Sequence, residues 1–162
     1  MSAERLQWIL LAYRVPREPS TPRIAVWRRL KRLGVAQLAD GLVALPLDAR
    51  TREQLEWVAD EVRQADGEAT LWLAHPVSAT SERRLATELA EARAGEYRAV
   101  IEEADAIAVP GRRTIQRLRR ELRRINRRDY FPPPERRAAK AAVDALAARA
   151  DRTAEDREVS RA

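Results

Sequence analysis

The sequence contains no cysteine, which excludes disulfide bonds and thiolate metal sites. Histidine occurs once, at His75 beside Pro76 in a strand-like run, where it reads as a strand-end residue rather than a metal ligand. Aromatic residues make up only 5% of the chain, and all four tryptophans fall before residue 73. An anchored core is therefore expected in the N-terminal half. No apolar run approaches the ~20 residues that a membrane span requires. The first residues also lack the charged-then-apolar layout of a signal peptide, so a cytoplasmic protein is expected. Lysine is nearly absent, occurring only at Lys31 and Lys140. No glycine-rich phosphate loop follows a strand, and no paired carboxylates converge. No catalytic residue, metal ligand or cofactor is expected.

What is present suits one compact domain with a helical extension: 162 residues, 45% apolar and 35% charged. Residues 7–15, QWILLAYRV, are apolar on both alternating faces, as in a buried central strand. Thr21 and Pro22 then read as the cap and first position of a helix ending at Gly34, with Val26, Trp27, Leu30 and Leu33 on its inner side. Residues 35–47 read as two short strands around the turn pair Asp40 and Gly41. Thr51 to Gln54 has capping-box spacing for a second helix. Its buried stripe is Leu55, Val58, Ala59 and Val62, with Gly67 as its stop and Asp48 as a cap residue. EATLWLAHPV supplies a fourth strand.

The order is β-α-β-β-α-β, so the expected class is α+β: a ferredoxin-like core over residues 1–79. A helical extension packed on the core follows over 80–150, and residues 151–162 form an unstructured tail. Two helices cover only one face of a four-stranded sheet. Strands apolar on both faces therefore need a second cover, from the extension, from another subunit or from both, and a homodimer is expected.

From residue 81 onward only helical patterns remain. A helix over 81–107, bent near Gly95, carries the seam Leu85, Leu89, Val100, Ala104 and Ile107. Pro110 and Gly111 break the chain before RRTIQRLRRELRRINRR, residues 112–128, with nine arginines against the single acid Glu121. This stretch carries a net +8 in a chain of net +6, leaving −2 for everything else. Ile115, Leu118, Leu122 and Ile125 recur at three-, four- and three-residue spacing as an inner stripe. Arg113, Arg117, Arg120, Arg124 and Arg127 then form the opposite face, with Arg128 just beyond. Pro132, Pro133 and Pro134 turn the chain into a last helix, about 135–150.

Two readings of the arginine helix stand. One is a row of guanidinium groups on nucleic-acid phosphates. The other is a structural or solvated face, paired in part with the acidic segment 82–105. Full pairing with that segment, net −3, would still leave a surplus. Exposed ion pairs of ~0–1 kcal/mol each are a weak reason to collect so many arginines. No base-reading motif is visible, so the charge points to a polyanion rather than to a base sequence.

Three stretches resemble the N-terminal domain of ChrB-type chromate-resistance regulators: residues 8–46, beginning WILLAYRVPREPSTPR; residues 51–72, TREQLEWVADEVRQADGEATLW; and RELRRINRRDYFPPPERRAAKAAVDAL near the end. Together they span about residues 7–147. The resemblance implies a bacterial DNA-binding protein acting at a chromate-resistance promoter, with chromate as an effector. Regulators of that family continue into a second domain that this sequence does not show. If that domain senses chromate, this chain is expected to bind DNA without the response. Phenylacetate-degradation repressors share the β-α-β-β-α-β outline, but the winged helix beside it is not found here. CRISPR spacer-acquisition nuclease subunits also share it. They end the first strand with a tyrosine and a metal-binding aspartate, where this chain has Tyr13 and Arg14, and a cation cannot ligate Mg²⁺. Arg14, Arg17 and Arg23 around the first loop are the candidates for a small oxyanion such as chromate. The rivals to DNA binding are a protein-interaction module that docks an acidic partner on the arginine helix, and a direct oxyanion sensor.

Overall fold

The computed structural model describes residues 5–160. Its elements are β1 (Trp8–Arg14), α1 (Ser20–Leu33), β2 (Ala36–Ala39), β3 (Leu42–Pro46), α2 (Ala49–Gln64), β4 (Glu68–Ala74), α3 (Ala79–Ala106), α4 (Arg112–Asn126) and α5 (Glu135–Val159). The sheet order is β2-β3-β1-β4, with every neighbouring pair antiparallel. This is the ferredoxin-like arrangement, followed by helices. The chain forms two compact units, one up to Leu89 and one from Ala90. Their boundary falls inside α3 rather than at residue 79.

β1 is apolar on both faces because it is central, hydrogen-bonded to β3 on one side and β4 on the other. Ile9 and Leu11 lie opposite Leu45 and Val43, and these four are at most 2% exposed. Val26 and Leu30 of α1 are buried, as are Leu55, Val58, Ala59 and Val62 of α2. Each of these valine, leucine and isoleucine side chains contributes on the order of 1.5–3 kcal/mol by leaving water. The opposite face of β1 shares its register with Ala44 and Trp72. Trp8 and Ala44 there are buried, whereas Trp72 on the edge strand β4 is 57% exposed.

Several local expectations shift. α1 begins at Ser20 after Pro19, with no side-chain cap, so Thr21 and Pro22 lie inside its first turn. Proline is tolerated there because first-turn N–H groups have no partner within the helix. The capping box of α2 pairs Asp48 with Thr51, three residues earlier than expected. Thr51 N donates to Asp48 Oδ1 at 2.7 Å, and Asp48 N donates to Thr51 Oγ1 at 2.9 Å. At the end of α2 the left-handed residue is Asp66, not Gly67. Gly67 is required for close approach instead, since a Cβ there would meet Arg14 O at 2.5 Å and Val62 O at 2.9 Å.

Tryptophan does not anchor the core as expected. Only Trp8 is buried; Trp27, Trp57 and Trp72 are each more than half exposed. Trp27 lies on the open side of α1, where Lys31 Nζ sits 4.9 Å above its ring. His75 follows β4, exposed, with Nδ1 3.3 Å from Leu6 O. In the C-terminal region α3 runs unbroken through Gly95. α5 continues to Val159, so the unstructured tail expected from residue 151 is not found over 151–159, and residues 161–162 lie outside the described residues.

Candidate nucleic-acid interface

The unit from Ala90 onward is built around one apolar cluster. Tyr97, Val100 and Ala104 of α3, Ile115, Leu118 and Ile125 of α4, and Ala139, Val143 and Leu146 of α5 are all buried in it, with Leu122 partly buried. The inner stripe read from the spacing of α4 is thus the stripe that packs. The same helical period turns the arginines outward. Arg113, Arg117, Arg120, Arg124 and Arg127 are all exposed, as are Arg112, Arg119 and Arg123.

Exposure does not make these arginines equivalent. Arg117 forms a bidentate pair with Glu103 of α3. The guanidinium pKa is raised, chiefly by the Glu103 hydrogen bonds. Arg124 pairs with Glu121 within α4 at 2.6 Å. Among the described residues, Arg112, Arg113, Arg119, Arg120 and Arg123 form no ion pair. Arg117 lies on the face opposite the seam yet reaches α3, because a long side chain spans one helix flank.

Arg128 departs furthest from expectation. It lies past the end of α4 and is folded inward, its side chain only 14% exposed, forming a bidentate pair with Glu96. A guanidinium held this way is not presented to a phosphate. Glu96 also faces the buried Arg93, with Nε 3.0 Å from Oε1 at an angle too poor for a hydrogen bond, and Arg93 Nη1 is buried without a partner. Burial lowers the Arg93 pKa, and the charge of Glu96 acts against that shift.

Beside this triad, the Tyr97 hydroxyl donates to Asn126 Oδ1 at 2.7 Å and Asp129 Oδ2 at 2.8 Å. The Asp129 side chain is fully buried, with Arg136 Nη1 3.5 Å away. Nothing in the sequence spacing marked Tyr97, Asn126 and Asp129 as a network, since Tyr97 lies in α3, 29 and 32 residues before the other two. The Tyr97 pKa is pushed well above its ordinary 10.0, first by burial and then by the hydrogen bond to Asp129.

Tyr97→Phe should cost about 1–3 kcal/mol by stripping a hydrogen bond from a buried carboxylate. Because the folded pKa is raised, the hydroxyl's contribution is intact below pH 10 and is lost as pH rises towards the folded value. Tyr13 is also raised, by burial and then by Asp40, but is present in both proteins. Urea midpoints should therefore converge above about pH 10, as the parent loses the Tyr97 contribution that the variant already lacks. Parallel pH profiles would contradict this.

The candidate oxyanion residues are not gathered. Arg14 pairs with Glu68 across the sheet at 3.0 Å. Arg17 and Arg23 are exposed, and no shared partner joins the three among the described residues. Among those residues there is also no cluster of metal-ligating side chains, and no helix is long and apolar enough to cross a membrane.

The architecture is that of a ferredoxin-like α+β unit followed by a helical unit whose middle helix presents an arginine face. The family description "Protein ChrB, N-terminal" matches residues 23–109, over half of the chain, and the chain belongs to that family. It is similar to Protein ChrB of Cupriavidus metallidurans (strain ATCC 43123 / DSM 2839 / NBRC 102507 / CH34), with 26% identity over 141 residues. That alignment takes in 81% of this chain and 42% of the relative, so the chain spans less than half of the relative's length. No solved structure matches the chain significantly. The family match stops before α4.

Proposed function

We propose that this protein is a non-catalytic DNA-binding regulator that acts at a chromate-resistance promoter. Chromate resistance enters through the ChrB family; DNA enters through α4. The observation that carries the reading is the exposed arginine face, on which Arg113 and Arg120 have no ion pair among the described residues. Arg117 and Arg124 pair only at the surface, where solvent screens an ion pair and a phosphate readily replaces the carboxylate. The working form is a homodimer, a reading supported by Trp72 and Leu73 standing 57% and 53% exposed on the edge strand β4. Chromate acts as the effector. For Arg14 to hold it, the surface pair with Glu68 must open, a similarly small cost.

Anisotropy titrations of a labelled chromate-promoter duplex over a salt series, with and without chromate, test this reading. Sedimentation of the free protein tests the dimer, and a monomer would count against it. Binding should weaken linearly in log K against log salt. R113Q/R120Q/R124Q should flatten that slope by up to about 2.7, at ~0.9 per phosphate contact, while the fold survives. Unchanged affinity and slope in the variant would remove α4 from the DNA. A second reading is favoured by the way Arg117 and Arg128 already donate to carboxylates of α3: the α4 region docks an acidic protein. Absence of DNA binding at low salt would select that reading.

A further inference from the structure

A second concentration of positive charge lies in the groove between α4 and α5, a cleft of about 900 Å³. Arg119 and Arg123 line it from α4, and Arg136, Arg137 and Lys140 from α5, against the single carboxylate of Asp144. Lys140 already holds Asp144 at 2.6 Å, and Arg136 faces the buried Asp129. Among the described residues Arg119, Arg123 and Arg137 form no ion pair, so three guanidinium groups are available to a ligand. Apart from Asn126, whose Oδ1 already accepts from Tyr97, the remaining lining is apolar: Leu122 and Val143, with Pro132, Pro133 and Pro134.

We propose that this groove binds an organic polyphosphate, a nucleotide-like anion. Its phosphoryl chain would lie on Arg119, Arg123 and Arg137, and its apolar body on Leu122, Val143 and the prolines. Three observations narrow the ligand class. The volume falls in the range of small-molecule sites, roughly 300–1,000 Å³. The groove is concave, whereas a duplex is read by elements that protrude into its own grooves. A lone phosphate or sulfate engages one or two guanidinium forks, so unpaired cations on both walls call for several phosphoryl groups together. The apolar lining has no use for inorganic polyphosphate but suits a base or another planar body. Arg136 is held against Asp129 and three consecutive prolines are stiff, so much of the wall is arranged before a ligand arrives.

The site does not depend on DNA binding, and the two can fail separately. The experiment is calorimetric titration of the full chain at low salt with ATP, inorganic triphosphate and adenosine as probes. ATP should bind saturably with one site per chain. Triphosphate should bind at least about tenfold more weakly, a difference of about 1.4 kcal/mol, and adenosine not measurably. R123Q/R137Q, at two exposed and unpaired positions, should weaken ATP at least about tenfold with an unchanged melting curve. R113Q/R120Q/R124Q should bind ATP like the parent, whatever it does to DNA. The proposal is overturned if ATP does not saturate, if R123Q/R137Q binds it unchanged, or if triphosphate equals ATP. A short single-stranded oligonucleotide that displaces ATP at lower concentration would also overturn it, making the groove a nucleic-acid track.

Discussion

Replacing Glu96 with glutamine should destabilise the helical unit by about 3 kcal/mol, far more than the loss of any surface ion pair here. The carboxylate serves two arginines at once, and their side chains are 10% and 14% exposed at Arg93 and Arg128. Glutamine keeps the shape but leaves two nearly dehydrated cations beside each other with no charge between them. Arg128 already depresses the Arg93 pKa, and Glu96 is the largest influence raising it. The Glu96 side chain is 28% exposed, so water relieves part of the penalty and the low end of the usual 3–5 kcal/mol is expected. Arg93→Met provides the contrast. It removes a cation with an unpartnered buried nitrogen and replaces it with an apolar chain, so it should be close to neutral. Urea denaturation followed by circular dichroism reads both variants. A Glu96→Gln cost below about 1 kcal/mol would place this triad with the surface pairs.

Leu118→Asp should prevent the helical unit from folding. Leu118 is 0% exposed at the centre of the cluster shared by α3, α4 and α5. Aspartate forfeits about 1.5–3 kcal/mol of apolar burial and puts a carboxylate among apolar side chains with no counter-ion. A total above ~4–5 kcal/mol is expected, a large part of the stability of any small domain. Leu118→Met, which keeps volume and polarity, should cost less than about 1.5 kcal/mol. The same aspartate at Leu122 should be milder, because that side chain is only partly buried and a carboxylate there can reach water. The readout is helical dichroism in the absence of denaturant. A normally folded Leu118→Asp protein would mean that the α4 stripe is not the core it is taken to be.

These expectations draw on two kinds of information, separable by the range of the interactions behind them. The β-α-β-β-α-β order, the α2 stripe and the α4 stripe were legible because strand and helix periods are local. Ile115, Leu118 and Ile125 could be assigned inward, and Arg113 and Arg120 outward, before any neighbour was known. Caps were legible to within a turn: Asp48 was read as a cap residue, but the box was placed at Thr51 and Gln54, whereas it joins Asp48 to Thr51. Composition misjudged the tryptophans, and periodicity misjudged Trp27. A large apolar ring raises the expectation of burial, yet helix rotation and edge-strand position leave Trp27, Trp57 and Trp72 open.

By itself, then, the sequence determined the class of fold, the face of α4 that packs and the sign of the charge that α4 presents. Each follows from residue type repeated at a fixed backbone period. Only the tertiary structure decided which arginines remain available. Arg128 is drawn inward by Glu96, thirty-two residues away, and Arg117 is held by Glu103, while Arg113 and Arg120 stay unpaired. It alone placed Tyr97 against Asn126 and Asp129, and set Arg119 and Arg123 across a groove from Arg137. Such pairings depend on where distant segments meet when the core closes, and no local period encodes that distance.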